Sequence, residues 1–138
     1  MRLPALLCLL ALLLPPAAEA GDLVVVVRQD SEIGQLSRDD VINIFLGRYR
    51  QLPSGKLAEP LDLTPDSSTF YERLTGKSRA EINAYWARLL FTGRTSPPRS
   101  IASPDKMIEA VLQSAQTIGY IDQARVDRRL RIVFEQGR

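Results

Sequence analysis

The sequence predicts an α/β domain in which a mostly parallel β-sheet is flanked by helices. The run Leu23–Val27, one leucine followed by four valines, is typical of a strand that is buried on both faces. Segments with strand character then alternate with amphipathic helical segments, as in sheets built from parallel strands and helical crossovers. Hydrophobic residues make up 45% of the chain and charged residues 25%, which is ordinary globular composition.

The chain divides into a predicted export signal, residues 1–20, and one domain, residues 21–138. Leu6–Leu14 is an apolar run, and Ala18-Glu19-Ala20 fits the small-x-small rule for cleavage after Ala20. The apolar run is too short to span roughly 30 Å of hydrocarbon, which takes about 20 helical residues. The sequence therefore predicts a cleaved, exported protein of the periplasm.

The first predicted helix follows the buried strand. Ser37 is a typical N-cap residue, and Asp39 and Asp40 suit the positive end of the helix dipole. Gly47 provides a natural end for this helix. After a loop, the short apolar segment Pro60–Leu63 is predicted to form the second strand.

Two further helices are predicted in the middle of the domain. One begins near Ser67 and ends at Gly76, and the next begins with the capping box formed by Ser78 and Glu81. The apolar residues of the second helix recur at the spacing of a single helical face, which favours core packing over the lining of a ligand pocket. They are Ile82, Tyr85, Trp86, Leu89 and Leu90.

The last third of the chain is predicted to contain one helix and two strands. Thr95–Pro98 is a proline-rich break, and Ser103 caps the helix that follows it. Thr117–Ile121 is predicted as a strand whose Gly119 lets another backbone approach closely. Leu130–Phe134 is predicted as the final strand.

Several kinds of chemistry are excluded by composition. The chain has no histidine, and its single cysteine, Cys8, lies inside the predicted signal. This removes His/Cys zinc sites, thiol nucleophiles, Ser-His-Asp triads and disulfides from the predicted domain. No Walker loop, GxGxxG motif or acidic metal-binding loop is present. We therefore predict a protein that is not an enzyme and that uses neither a metal nor another cofactor.

Charge gives no indication of a nucleic-acid partner. Lys and Arg total 18 and Asp and Glu total 16, for a net charge of +2. The basic residues are interspersed with acids, whereas a nucleic-acid surface needs a stripe of one sign. We expect no nucleic-acid binding.

The candidate site is the hydroxyl-rich helix start at Ser67, Ser68 and Thr69. The first backbone N–H groups of a helix lack intrahelical partners, and the three hydroxyls add further donors. Such a start can hold an oxyanion without a lysine or arginine. Plain helix capping explains the same residues, and from spacing alone it is the favoured alternative.

Four segments occur in a distinctive order. Leu36–Arg48 reads LSRDDVINIFLGR, Phe70–Ser78 reads FYERLTGKS, Tyr85–Arg94 reads YWARLLFTGR with Pro97-Pro98 after it, and Thr117–Ile121 reads TIGYI. The first and last resemble the LS-x-x-x-(hydrophobic)-x-x-IFLGK and A-IGYV segments of the phosphate-binding proteins of ABC importers. The middle two resemble a subgroup of short, single-lobe members. The resemblance implies a single lobe of a type II periplasmic binding protein.

The resemblance also implies a site. Full-length members clamp phosphate between two lobes with an SGT helix start and an arginine a few residues before it. The matching residues here are Ser67, Ser68 and Thr69, and no arginine lies in the segment Leu61–Asp66. In a binding module that holds an oxyanion with these residues, Arg94 is a possible second contact.

Two functions are left open by these observations. The first is a non-catalytic binding module that holds phosphate or another small oxyanion and passes it to a membrane permease. The alternative is a periplasmic interaction or sensory module that kept the lobe fold without ligand binding. It would dock a membrane signalling protein or a second copy of this chain.

Overall fold

A computed structural model describes residues 21–137, so the predicted signal, residues 1–20, lies outside the described residues. Two of the described elements are single 3₁₀ turns, Thr64–Asp66 and Gln123–Arg125. The remaining described elements, in chain order, are β1 (Leu23–Arg28), α1 (Arg38–Phe45), β2 (Glu59–Leu63), α2 (Ser67–Thr75), α3 (Arg79–Leu90), β3 (Arg99–Ile101), α4 (Pro104–Gln113), β4 (Thr117–Asp122) and β5 (Leu130–Glu135). Within residues 21–137, no helix is long and apolar enough to cross a membrane.

The sheet is mixed, with the strand order β3-β2-β4-β1-β5. β2 runs parallel to both β3 and β4, whereas β1 runs antiparallel to its two neighbours, β4 and β5. The prediction of a mostly parallel sheet is wrong, because the two longest pairings in the sheet are the antiparallel ones made by β1. A run of valines is equally well buried in either strand direction, so its sequence does not encode that direction.

Helices cover both faces of the sheet. On β4, a side chain at Gly119 would point at Met107 and Val111 of α4. The neighbouring Tyr120 points the other way, and its ring stacks on Phe70 of α2 with centroids 3.7 Å apart and planes 4° from parallel. Successive side chains of a strand alternate between the faces, so α4 lies on one face and α2 on the other. The interior strand β1 is therefore buried on both sides, as its sequence predicts.

The helix starts agree with the sequence. The side chains of Ser37, Ser78 and Ser103 each accept a hydrogen bond from the backbone N–H three residues later. Ser37 and Ser78 complete capping boxes with Asp40 and Glu81. These signals are short-range, which explains why sequence alone locates them.

Two details of the last third of the chain differ from the prediction. The group close to Gly119 is the side chain of Met107, whose sulfur would lie 2.5 Å from an added Cβ, and not another backbone. The short strand β3 was not predicted, because Arg99 and Ser100 are exposed and polar and carry no strand pattern.

Arg38, the first residue of α1, ties the end of α2 to the C-terminal segment. Its guanidinium donates to the carbonyl oxygens of Arg73 and Leu74 at 3.0 and 3.1 Å and to that of Gln136 at 3.1 Å. The Gln136 side chain in turn donates to the carbonyl oxygen of Phe70 at 2.9 Å. A cation at a helix C-terminus also interacts favourably with the helix dipole. α2 is therefore held by two side chains from elsewhere in the chain.

Replacing Gly47 with alanine should destabilise the protein more than replacing Gly76. Both glycines have φ near +70°, which costs an L-residue about 1–2 kcal/mol. An added Cβ at Gly76 meets nothing within 4 Å, whereas at Gly47 it would lie 2.5 Å from the Thr95 hydroxyl oxygen. Urea unfolding of Gly47→Ala and the matched control Gly76→Ala measures the difference. Equal losses would show that Thr95 moves away at no cost.

Candidate functional site

The start of α2 lies at the end of the sheet where the parallel strands β2 and β3 have their carboxyl ends. β2 ends at Leu63 and leads into α2 through a 3₁₀ turn, and the parallel strand β3 ends at Ile101, just before α4. In open α/β sheets, ligands bind outside the carboxyl ends of parallel strands. The residue preceding α2, Asp66, makes no side-chain capping bond to the first turn of this helix.

The three predicted site residues lie on the first turn of α2. Ser67 is buried, Thr69 is half-buried and Ser68 is exposed. The hydroxyl oxygen of Ser67 accepts a hydrogen bond of 2.8 Å from the guanidinium of Arg79. Ser68 thus presents its hydroxyl to solvent, while Ser67 holds a cation against the helix start.

Arg79 is a candidate site residue that the sequence prediction missed. It is the first residue of α3, where the capping box of Ser78 and Glu81 fixes the start of the helix. A guanidinium has five N–H donors, and the contact with Ser67 uses one of them. The folded chain therefore brings to the α2 start an arginine that no nearby sequence position supplies. No local sequence signal could have found it, since the two residues are joined only through the α2–α3 packing.

Asp62 is a buried carboxyl beside this site. Its Oδ1 accepts hydrogen bonds from the hydroxyls of Tyr71 at 2.7 Å and Tyr120 at 3.4 Å. Burial raises the pKa of Asp62 to about 6, although the Tyr71 hydrogen bond and the charge of Arg79 act in the opposite direction. Burial also raises the pKa of both tyrosines, so that they remain protonated donors. A charged residue between Leu61 and Leu63 in a buried strand is the sequence signal that could have found Asp62.

An open groove of about 310 Å³ lies between this carboxyl and α3. Polar and apolar groups share its wall, which includes Asp62, Arg79, Asn83, Trp86, Leu90 and Pro98. The buried Trp86 packs edge-on against Tyr85 with ring centroids 5.2 Å apart. Trp86 therefore serves core packing, as predicted, and also lines the groove.

Arg94, the predicted second contact, lies in the loop after α3 and is exposed. It is not among the residues that line the groove, so its role stays a prediction. The same loop is held by Arg50, whose guanidinium donates to the Thr95 hydroxyl at 3.2 Å and to the Ser96 carbonyl at 3.1 Å. Arg50 thereby fixes the segment that carries Pro98 into the groove wall.

Solved structures show what this fold is similar to. An ABC-type phosphate transport receptor from Vibrio cholerae shares 17% identity at a TM-score of 0.62, covering 82% of this chain and 45% of its own. A Clostridium perfringens protein is assigned as a phosphate ABC transporter substrate-binding protein and was solved with phosphate bound. It shares 15% identity at a TM-score of 0.64, covering 82% of this chain and 44% of its own. PstS from Borrelia burgdorferi shares 14% identity at a TM-score of 0.57, covering 82% of this chain and 46% of its own.

The described chain has the α/β fold of a single lobe of these structures and spans less than half of their length. The predicted fold class is confirmed in this respect. At identities of 14–17% the likeness concerns the fold. The chain matches no protein-family model and no curated protein.

The raised pKa of Asp62 predicts that stability falls as pH rises from about 4 to about 6. The folded protein keeps the Asp62 proton up to about pH 6, whereas the unfolded chain releases it near 4. The folded state thus binds more protons in this window, and its stabilisation, up to about 3 kcal/mol, is lost as the carboxyl ionises.

Asp62→Asn keeps an acceptor for both tyrosines but cannot ionise, so it should remove this part of the pH dependence. Urea unfolding of both proteins between pH 4 and pH 7.5 measures it, and the other acids cancel in the comparison. Parallel stability curves for the two proteins would show that the Asp62 carboxyl does not titrate in this window.

Proposed function

We propose that this chain is an exported, non-catalytic binding module that holds a small oxyanion, with phosphate as the first candidate, at the start of α2. It would act in the periplasm and pass its ligand to a membrane permease. The contact between Arg79 and Ser67 carries this proposal, because it places a guanidinium at a helix start that lacks a side-chain capping bond. The likeness of the fold to a phosphate-bound structure supports the choice of ligand class.

The proposed site binds without breaking or forming covalent bonds. The N–H groups of the first turn of α2 point toward the anion, and the hydroxyls of Ser68 and Thr69 add donors. Arg79 supplies the full positive charge and the forked donor geometry that suits an oxyanion. Ser67 positions Arg79 through its hydroxyl oxygen. Arg94 is retained as a second contact that would approach from the loop after α3.

The carboxyl of Asp62 opposes anion binding when it is charged. Asp62 and Arg79 both line the groove, so part of the positive potential of Arg79 is cancelled by a nearby carboxylate. Protonation of Asp62 removes this cancellation. We therefore expect tighter anion binding below about pH 6 than above it, when the charge of the anion itself is constant.

A second candidate function is the interaction or sensory module without a ligand. The observation that favours it is the exposure of Leu90 and Phe91, whose side chains are 61% and 94% exposed at the end of α3. Large apolar side chains exposed side by side are typical of surfaces that contact another protein. This module would dock a membrane signalling protein through the same end of α3.

Calorimetric titration with phosphate, sulfate and small carboxylates tests the proposed function. One anion should give saturable heat, and Ser67→Ala/Thr69→Ala should abolish it. Arg79→Gln should weaken binding about 10- to 100-fold, because a charge-assisted hydrogen bond is worth about 1.5–3 kcal/mol. Arg128→Gln, a change at an exposed arginine away from α2 and α3, is the matched control and should bind normally.

Arg94→Gln in the same titration decides whether the predicted second contact exists. Weaker binding would support it, and normal binding would remove Arg94 from the site. Folded protein that gives no heat with any of the anions would contradict the binding module and favour the interaction module.

A further inference from the structure

One line of residues along the outward face of α3 carries no charge. Ala80, Ala84, Ala87 and Phe91 follow one another at spacings of four, three and four residues, which places them in one line along the helix. All four are exposed, and Phe91 directly follows the last residue of α3. We call these four residues the α3 seam. Small residues followed by one large apolar residue form a surface on which a second helix can pack closely.

Two residues of opposite charge border the α3 seam on one flank. Glu81 and Arg88 are seven residues apart, so they lie on the same side of α3, and both are exposed. Glu81 stands near the beginning of the helix and Arg88 near its end. This arrangement is complementary to itself when two copies of the helix run in opposite directions.

A two-fold axis gives a register in which both features match. When Ala80 faces Phe91 of the second copy, Ala84 faces Ala87 of the second copy. Glu81 then lies two residues, or about 3 Å along the helix axis, from the level of Arg88 on the second copy. The two-fold keeps both residues on the same flank, so this ion pair forms twice. Antiparallel helices also align their dipoles favourably.

We propose that two copies of this chain associate through an antiparallel packing of α3 against α3 along the seam. The occupant of this surface is a second copy because the seam and its charges complement themselves, as an interface with two-fold symmetry requires.

The association completes the groove. Asn83 and Leu90 line the groove and lie on the flank of α3 opposite Glu81 and Arg88. The two-fold places the grooves of both copies side by side on that flank, and Asn83 of one copy stands about 3 Å along the axis from the level of Leu90 of the other. Each groove then gains a wall from the helix of the second copy.

The size of the interface sets the expected strength. α3 has 12 residues and is about 18 Å long, so the helix pair alone buries less than the about 1,600 Å² of a standard interface. We expect a dimer that forms with rising concentration between about 1 µM and about 1 mM. This association requires no bound anion, so its outcome is separate from that of the proposed anion site.

Sedimentation equilibrium of the full chain without any anion tests the dimer. Ala84→Glu places a charge in the seam and should give monomer at all concentrations. Glu81→Gln keeps the capping ability of residue 81 but loses the ion pair, and should weaken association. Arg128→Glu, a charge change outside α3, is the control. Thermal unfolding of each variant shows that it is folded. Monomer at about 1 mM, or a dimer unaffected by Ala84→Glu, would overturn the proposal.

Cysteine cross-linking tests the register. In a Cys8→Ser background, Ala80→Cys mixed with Phe91→Cys should form a disulfide between copies under mild oxidation. Ala80→Cys alone should not, because its two copies would be 11 residues, or about 17 Å, apart along the axis. Cross-linking of Ala80→Cys with itself in preference to the mixture would overturn the antiparallel arrangement.

Discussion

The burial of β1 on both faces is the constraint from which the arrangement of the other elements follows. Its four valines are almost completely buried between β4 and β5, so apolar layers must cover both sides of the sheet. α4 supplies one layer, and α1 and α2 supply the other through the rings that surround Tyr120. To reach its face of the sheet, α2 begins just beyond the carboxyl end of β2. The candidate site lies at this end of the sheet.

Sequence predicts the features of this fold that depend on neighbouring residues. The N-cap residues Ser37 and Ser78, and the left-handed glycine that ends α2, are set within a few residues and were located correctly. The direction of β1 was not, because it depends on which strands flank it, and both flanking strands come from the last part of the chain. β3 was missed since its three residues gain their strand geometry from pairing with β2 and not from their own apolar pattern.

The candidate site shows the same division. Ser67, Ser68 and Thr69 are consecutive, so their shared helix turn follows directly from the sequence. Arg79 reaches Ser67 only because α3 packs beside α2, and no rule of sequence spacing predicts that contact. The two tyrosines that hold Asp62 come from α2 and β4, which are far apart in the chain. Residues that act together through such long-range packing cannot be paired from one sequence.

The attachment of the far end of α2 has a consequence for how the site would work. Arg38 and Gln136 hold the helix through three backbone carbonyl contacts, to Arg73, Leu74 and Phe70, so it cannot slide or tilt without breaking hydrogen bonds. The first turn is thereby preorganised, and a ligand that meets it loses little free energy to ordering the protein. α2 is therefore the stationary side of the candidate site, and any closure around a ligand requires movement of the group on the opposite side.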